Sequence, residues 1–252
     1  MKKFIVFLTT ILLSTCLLLS CYSGKNEEIC LLESVTSDGE KYNYEYDDQN
    51  RITKESNYDK SGNLQSEKIF IYNGNDLVRI EGFNVTKKEY EKNGNNIIVY
   101  ATAKDNMFRY KETFQLNNDG DIIKKELYDN NGELLRTMEY TYDQSGKMVK
   151  ETFRNKKGEY NYEYDNKNAP FIHCNTPKWW MQDEGCSTKN NIIKVTEKEE
   201  EEDTDKHVHE CVYEYDDVGY PIKQIVYNDG EKGKIVEYRY RNASHSSDNS
   251  GR

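Results

Sequence analysis

The chain has 252 residues, with 35 Lys and Arg against 45 Asp and Glu, a formal net charge of -10 and a pI near 5.1; this excludes a nucleic-acid partner, since binding a phosphate backbone takes a basic stripe. Hydrophobic residues make up only 35%, but 21 residues are Tyr and only 3 are Pro, so the composition argues against a disordered linker and requires rings, burying ~150–250 Å² each, to supply much of any core. No run of 18 apolar residues occurs beyond the N-terminus, so no helix of the body can span a membrane.

At the N-terminus, Lys2 and Lys3 precede an apolar stretch from Phe4 to Leu19, and the chain turns polar at Tyr22. That order is a secretory signal peptide, expected over residues 1–20. The segment Leu18-Leu19-Ser20-Cys21 resembles a bacterial lipobox, which implies cleavage before Cys21 and acylation of its thiol and amine. Two or three buried acyl chains anchor stably, at ~0.8 kcal/mol per CH₂. Cys16, after Leu13-Ser14-Thr15, is a poorer copy. Residues 21–28 then form a lipidated tether. Tyr22 rather than Asp after the Cys implies the outer membrane of a Gram-negative cell. The stretch Lys25-Asn26-Glu27-Glu28 resembles tags that carry lipoproteins to the cell surface.

The body repeats a turn: Tyr58-Asp59-Lys60-Ser61-Gly62 recurs as Tyr90–Gly94, Tyr128–Gly132, Tyr142–Gly146 and Tyr215–Gly219, with looser copies such as Tyr46-Asp47-Asp48-Gln49-Asn50. An Asp or Asn side chain can bond the backbone two residues on, and the final Gly or Asn supplies a positive φ. Between turns the chain alternates with period two, as in Tyr42-Asn43-Tyr44-Glu45-Tyr46 and Tyr160-Asn161-Tyr162-Glu163-Tyr164, the pattern of half-buried antiparallel strands. The expected fold is all-β, a strongly curved or barrel-like antiparallel meander of sixteen short strands over 29–36, 41–47, 51–57, 64–72, 76–83, 86–91, 96–102, 107–116, 121–128, 133–142, 147–153, 159–164, 191–197, 207–215, 221–227 and 234–240, with no helix. These make one domain, 29–240, and 241–252 is expected to be a disordered tail.

The rhythm breaks between Asp165 and Asn190, where both Trp (Trp179, Trp180), Pro170, Pro177, His173, Cys174 and Cys186 fall. Long irregular segments inside a regular sheet are often functional or plug the structure. Two readings follow: the segment folds over an open end and its Trp rings complete the core, or Trp179, Trp180 and His173 contact a ligand. Cys30, Cys174, Cys186 and Cys211 form an even set, which beyond the inner membrane reads as two disulfides in one of three connectivities. Cys174 with Cys186 and Cys30 with Cys211 is the favoured pairing. The second bridge needs Cα atoms within about 7 Å and so requires the sheet to curl back on itself.

His207, His209 and Cys211 alternate on one expected strand and share a face, a weak zinc candidate without a fourth ligand. The acidic run 197–205 reads as a solvated hairpin tip. No nucleophile elbow, zinc-protease helix, phosphate loop or C-x-x-C is present, so no catalytic residue and no cofactor is expected.

The turn Tyr142-Asp143-Gln144-Ser145-Gly146-Lys147-Met148 resembles the YD repeats of rearrangement-hotspot and teneurin shells, over most of residues 41–240. The combination of lipobox, meander, Tyr162-Glu163-Tyr164-Asp165-Asn166-Lys167-Asn168-Ala169-Pro170-Phe171 and Tyr213-Glu214-Tyr215-Asp216-Asp217-Val218-Gly219-Tyr220-Pro221 resembles a family of Gram-negative lipoproteins of unknown function with a porin-like fold. That resemblance implies a barrel-like sheet and assigns no catalytic residues. Most expected strands are shorter than the 9–11 residues of a membrane strand, and Lys or Glu interrupts both faces, so a pore is not expected. The sequence therefore points to a non-catalytic envelope lipoprotein that binds a glycan or an envelope protein. The alternative is a structural or accessory subunit of an outer-membrane complex, ahead of an enzyme or a pore.

Overall fold

A computed structural model of the protein describes residues 29–103, 107–154, 158–186, 189–199 and 206–243. The signal segment, the lipobox with Cys21, and the tether lie outside the described residues, as do 200–205 of the acidic run and 244–252 of the tail.

The sixteen expected strands are present: Cys30–Ser37 (β1), Glu40–Tyr46 (β2), Ile52–Tyr58 (β3), Leu64–Asn73 (β4), Asp76–Phe83 (β5), Lys87–Asn93 (β6), Asn96–Thr102 (β7), Phe108–Leu116 (β8), Ile122–Tyr128 (β9), Leu134–Tyr142 (β10), Met148–Phe153 (β11), Gly158–Tyr164 (β12), Ile192–Glu199 (β13), Lys206–Tyr215 (β14), Pro221–Asn228 (β15) and Glu231–Asn242 (β16). Each pairs antiparallel with its sequence neighbours, and β1 pairs with β16 to close the barrel. The closure corrects one boundary. β16 runs to Asn242 rather than ending at 240, because Cys30 pairs with Asn242 and the Ala243 N–H donates to the Ile29 carbonyl at 2.7 Å.

The repeated turn works as its composition requires. At Asp143, Oδ1 accepts the N–H of Ser145 at 2.8 Å and of Lys147 at 3.0 Å, while the Asp143 N–H donates to the Lys147 carbonyl at 2.9 Å. Gly146, at φ 76°, donates its own N–H back to the Asp143 carbonyl at 3.0 Å. The backbone N–H of Lys147 heads the donors that hold the Asp143 carboxyl below its ordinary range. The same bonds recur at Asp47, Asp59, Asn117, Asp129 and Asp216.

Even-to-odd turns lie on one rim and odd-to-even turns on the other. On the first rim, inward tyrosines near the ends of even strands donate to carbonyls near the starts of the preceding odd strands. Tyr46 reaches Leu32, Tyr72 reaches Ile52, Tyr142 reaches Ile122, Tyr164 reaches Met148, Tyr213 reaches Ile192 and Tyr240 reaches Pro221, at 2.6–3.0 Å. This is why Tyr replaces Phe in these rows: each ring packs inward while its hydroxyl satisfies a carbonyl that lies two residues before the ladder between the two strands begins.

The two faces of the wall differ. Outward rows carry cross-strand ion pairs: Lys54 with Glu45 (2.7 Å) and Glu67 (3.6 Å), Lys150 and Lys198 with Glu159, and Lys223 with Glu214 (2.7 Å). Inward rows from β1 to β9 supply an apolar core that includes Leu32, Ile52, Phe70, Ile80, Ile97, Val99, Phe114 and Ile122. Among the described residues, no helix is long and apolar enough to cross a membrane.

Removing a single rim hydroxyl tests the tyrosine ladder. Tyr142→Phe should lower stability by about 1 kcal/mol, read from urea unfolding, with the barrel's circular dichroism unchanged; an unaltered midpoint would show that the ladder contributes nothing.

Candidate functional site: a plugged rim and the cavity beside it

The irregular segment is a repeat turn pulled open. The Asp165 N–H donates to the Asn191 carbonyl at 3.0 Å, and Asp165 Oδ1 accepts the N–H of Lys167 and of Asn191, each at 3.0 Å. Asn191 thus occupies the place that Lys147 takes four residues after Asp143. Everything between is an insertion into one turn, and it crosses the rim. Asn168 donates to Gly219 and Val218, Asn175 to Asn50 and Gln49, and Lys189 to Ser145. His173 Nε2 lies 2.7 Å from the Tyr220 hydroxyl.

The insertion contains a short helix, Lys178–Asp183 (α1), where the sequence predicted none. Six residues make less than two turns, too few for a helical pattern to register. Trp179 and Trp180 are 6% and 3% exposed and Met181 is fully buried. The Trp180 ring meets Phe70 edge-on at 4.9 Å, and Trp179 lies 5.2 Å from Tyr90 and 5.8 Å from Phe114. The core reading of the two Trp is therefore the one the packing supports. A stacking platform on Trp179 and Trp180 is corrected, since protein rings already cover them.

Polar side chains of the insertion satisfy the barrel's buried backbone. Thr176 Oγ1 accepts the Ile52 N–H at 2.8 Å, and Gln182 Oε1 accepts the Ile122 N–H at 3.0 Å while its Nε2 donates to Asp121 at 2.7 Å. Lys178 pairs with Asp121. The acidic end of α1 is held by inward lysines from three strands. Lys125 pairs with Asp183 and with Glu112 at 2.8 Å. Lys88 lies 4.0 Å from Asp183 and 3.7 Å from Glu184. Lys68 lies 3.4 Å from Glu184 and 3.1 Å from Glu55. Burial works against the Lys125 ammonium, but Asp183 and Glu112 overcome it and push its pKa above the ordinary lysine range.

One of the two expected cysteine pairings, Cys30 with Cys211, is corrected by the strand register. Cys30 lies opposite Asn242, whereas Cys211 pairs with Val226, whose neighbours lie opposite Ile235 and Lys232. That offset of about seven residues at ~3.3 Å each rules out a bridge. The barrel closes through the β1–β16 ladder instead. Cys174 and Cys186 both pack against the core, and burial pushes the Cys186 thiol up to about 12. His207 and His209 share a face of β14 as expected, but His207 Nδ1 lies 2.9 Å from Asp229 and His209 Nδ1 2.7 Å from Asn228, while Cys211 accepts from Gln224 at 3.0 Å. Among the described residues no three such side chains are grouped to hold a metal ion.

On the β9–β13 side the insertion does not fill the barrel. A cavity of about 260 Å³ remains, walled by Tyr140, Tyr162 and Tyr164, with Met138, Lys125 and Glu151 deeper and Lys147, Lys189 and Asn190 toward the rim; Gln182 and Asp183 cover it. Glu151 sits opposite both Tyr140 and Tyr160 in register and accepts the Tyr162 hydroxyl at 2.9 Å. Burial raises its pKa, which Tyr162, Lys125, Tyr140 and Arg136 only partly offset. Sequence reasoning missed this site. The one signal was that Glu151 shares the inward phase of Phe153, and the bulge after Met148 obscures that phase.

No protein-family model matches the chain, and no curated protein does. Among solved structures, a porin-like protein from Bacteroides uniformis is 12% identical, with 84% of this chain and 95% of that chain covered and a TM-score of 0.41. A porin-like protein from Bacteroides vulgatus is 11% identical over 84% of this chain and 99% of that chain, at TM-score 0.37. The TcdB2-TccC3-TEV crystal structure is 7% identical over 86% of this chain and 14% of that chain, at TM-score 0.32.

A carboxyl whose folded pKa is raised binds its proton more tightly in the folded state, so protonation stabilises the fold as pH falls through the folded value toward the unfolded one. Glu151→Gln should therefore be more stable than the wild type at neutral pH, and the difference should shrink on acidification through the range just above the ordinary 4.5. Unfolding midpoints measured across that range check this; a difference that does not vary with pH would contradict it.

Proposed function

We propose that the protein is a non-catalytic, lipid-anchored lipoprotein of the outer membrane, on its cell-surface face, that holds a small polar ligand of carbohydrate type in the cavity beside its plug. The observation that carries this reading is the cavity itself. It has three tyrosine walls, polar groups at fixed depths, and a volume near the lower end of small-molecule pockets, about 300 Å³. Tyrosine suits a sugar, since the ring face stacks on C–H groups and the hydroxyl exchanges hydrogen bonds. Two further features support it. The outward ion pairs suit a wall in water, because a Lys at a bilayer midplane costs ~2–4 kcal/mol. The lipobox resemblance supports attachment through Cys21, with β1 starting at the plugged rim.

One observation favours an accessory subunit as the second reading. Leu64, Phe83, Met107, Phe108, Leu134 and Leu135 are exposed at four successive turns of the unplugged rim, where an envelope protein could dock.

Titration calorimetry with mono- to tetrasaccharides tests the carbohydrate reading. The wild type should show saturable binding of at least one sugar, weakened at least ~10-fold, or 1.4 kcal/mol, by Tyr162→Ala. Binding by none, or binding indifferent to Tyr162, would remove it.

A further inference from the structure

The carboxylates packed around the plug differ in one respect. Glu55, Glu112, Asp121, Asp183 and Glu184 each have a lysine ammonium within 4.0 Å. Glu151, on the same inward surface, has none that close among the described residues; its hydrogen bonds come from the neutral hydroxyls of Tyr162 and Tyr140, and Lys125 and Arg136 act on it only from longer range. The cation that lines the cavity with it, Lys125, is already shared between Glu112 and Asp183. A half-buried carboxylate without a directly paired counter-ion is unfavourable, and the structure offers open volume beside it rather than a contacting ammonium.

The surroundings of that volume suit a cation. Tyr140 and Tyr162 flank Glu151 from the neighbouring strands β10 and β12, and tyrosine faces attract ammonium groups, more strongly when desolvated. Nearer the rim the protein uses the same contact itself, with Lys147 Nζ 5.8 Å from the Tyr164 ring centroid. The other two lysines of the lining are engaged, Lys178 by Asp121 and Lys189 by the Ser145 carbonyl at 2.8 Å.

We infer that the cavity selects a ligand bearing an organic ammonium group, an amino sugar rather than a neutral or acidic one, with its ammonium on Glu151 between Tyr140 and Tyr162. This rests on the carbohydrate reading for the sugar skeleton but not for the ammonium, and the test separates the two. Glucose, glucosamine and glucuronate share a skeleton; choline carries the cation without the sugar. Each is titrated into the full chain by calorimetry at about pH 6, below the ordinary range of an amine.

The wild type should bind glucosamine at least ~10-fold more tightly than glucose or glucuronate. Glu151→Gln keeps the volume and removes the charge, so it should abolish the preference for glucosamine over glucose. Equal binding of glucose and glucosamine, or a preference that survives Glu151→Gln, would overturn the inference and leave the carbohydrate reading standing. Glucuronate binding tightest, with dependence on Lys189, would also overturn it, by placing recognition at the rim lysines. Binding of choline that depends on Glu151, with no sugar bound, would support the ammonium site and remove the carbohydrate reading. Binding of none of the four probes would contradict both.

Discussion

One small side chain that accepts two backbone N–H groups at once determines how this barrel can be both regular and plugged. The carboxylate of Asp143 ties Ser145 and Lys147 into a turn that is closed by local bonds alone. Because those bonds constrain only the ends of the turn, the same geometry tolerates a long insertion. Asp165 and Asn191 make the closing bonds that Asp143 and Lys147 make, so β12 and β13 pair as if nothing lay between them. The insertion is then free to be used for something other than connection.

What it is used for follows from the strand number. About eight strands give a barrel whose side chains fill the interior, and sixteen leave a lumen too wide for side chains alone. The wall here is built from short rows rich in Tyr, Lys and Glu, with few aliphatic residues to spare. Trp179, Trp180 and Met181 supply the missing apolar volume against β4, β6 and β8, and Thr176 and Gln182 satisfy buried N–H groups that the rim bulges leave over. The lysines that clasp Asp183 and Glu184 fix the helix laterally against one half of the wall. The other half, β10 to β13, is left lined but not filled, and the cavity with Glu151 is the result.

Strand positions were legible in the sequence because alternation and turn chemistry agree at nearly every step: each Tyr-Asp turn ends one period-two row and begins the next. The end of β16 was not, since Arg241 and Asn242 have no apolar pattern and are held by pairing with β1. Helix α1 was too short to show a period. The four cysteines invited disulfides because a count carries no register, and register separates Cys30 from Cys211. Trp179 and Trp180 could be read as core or as ligand platform, and only the positions of Phe70, Tyr90 and Phe114 decide between them. Glu151, Tyr140 and Tyr162 look like any other members of the Tyr and Glu rows; what distinguishes them is the lysine they lack, a property of pairing across strands rather than along the chain.

The central claim is that the insertion is part of the barrel's core, and the chain carries its own probe of that, because its 2 Trp are both in the plug. Tryptophan emission of the folded protein, with iodide quenching, reports the seating of Trp179 and Trp180 without any substitution. Emission at the blue end of the range, resistant to iodide and lost in the same urea transition as the β-sheet circular dichroism, is the predicted result. Red-shifted emission that iodide quenches while the sheet signal remains intact would mean that the insertion lies outside the barrel, and the account would fail.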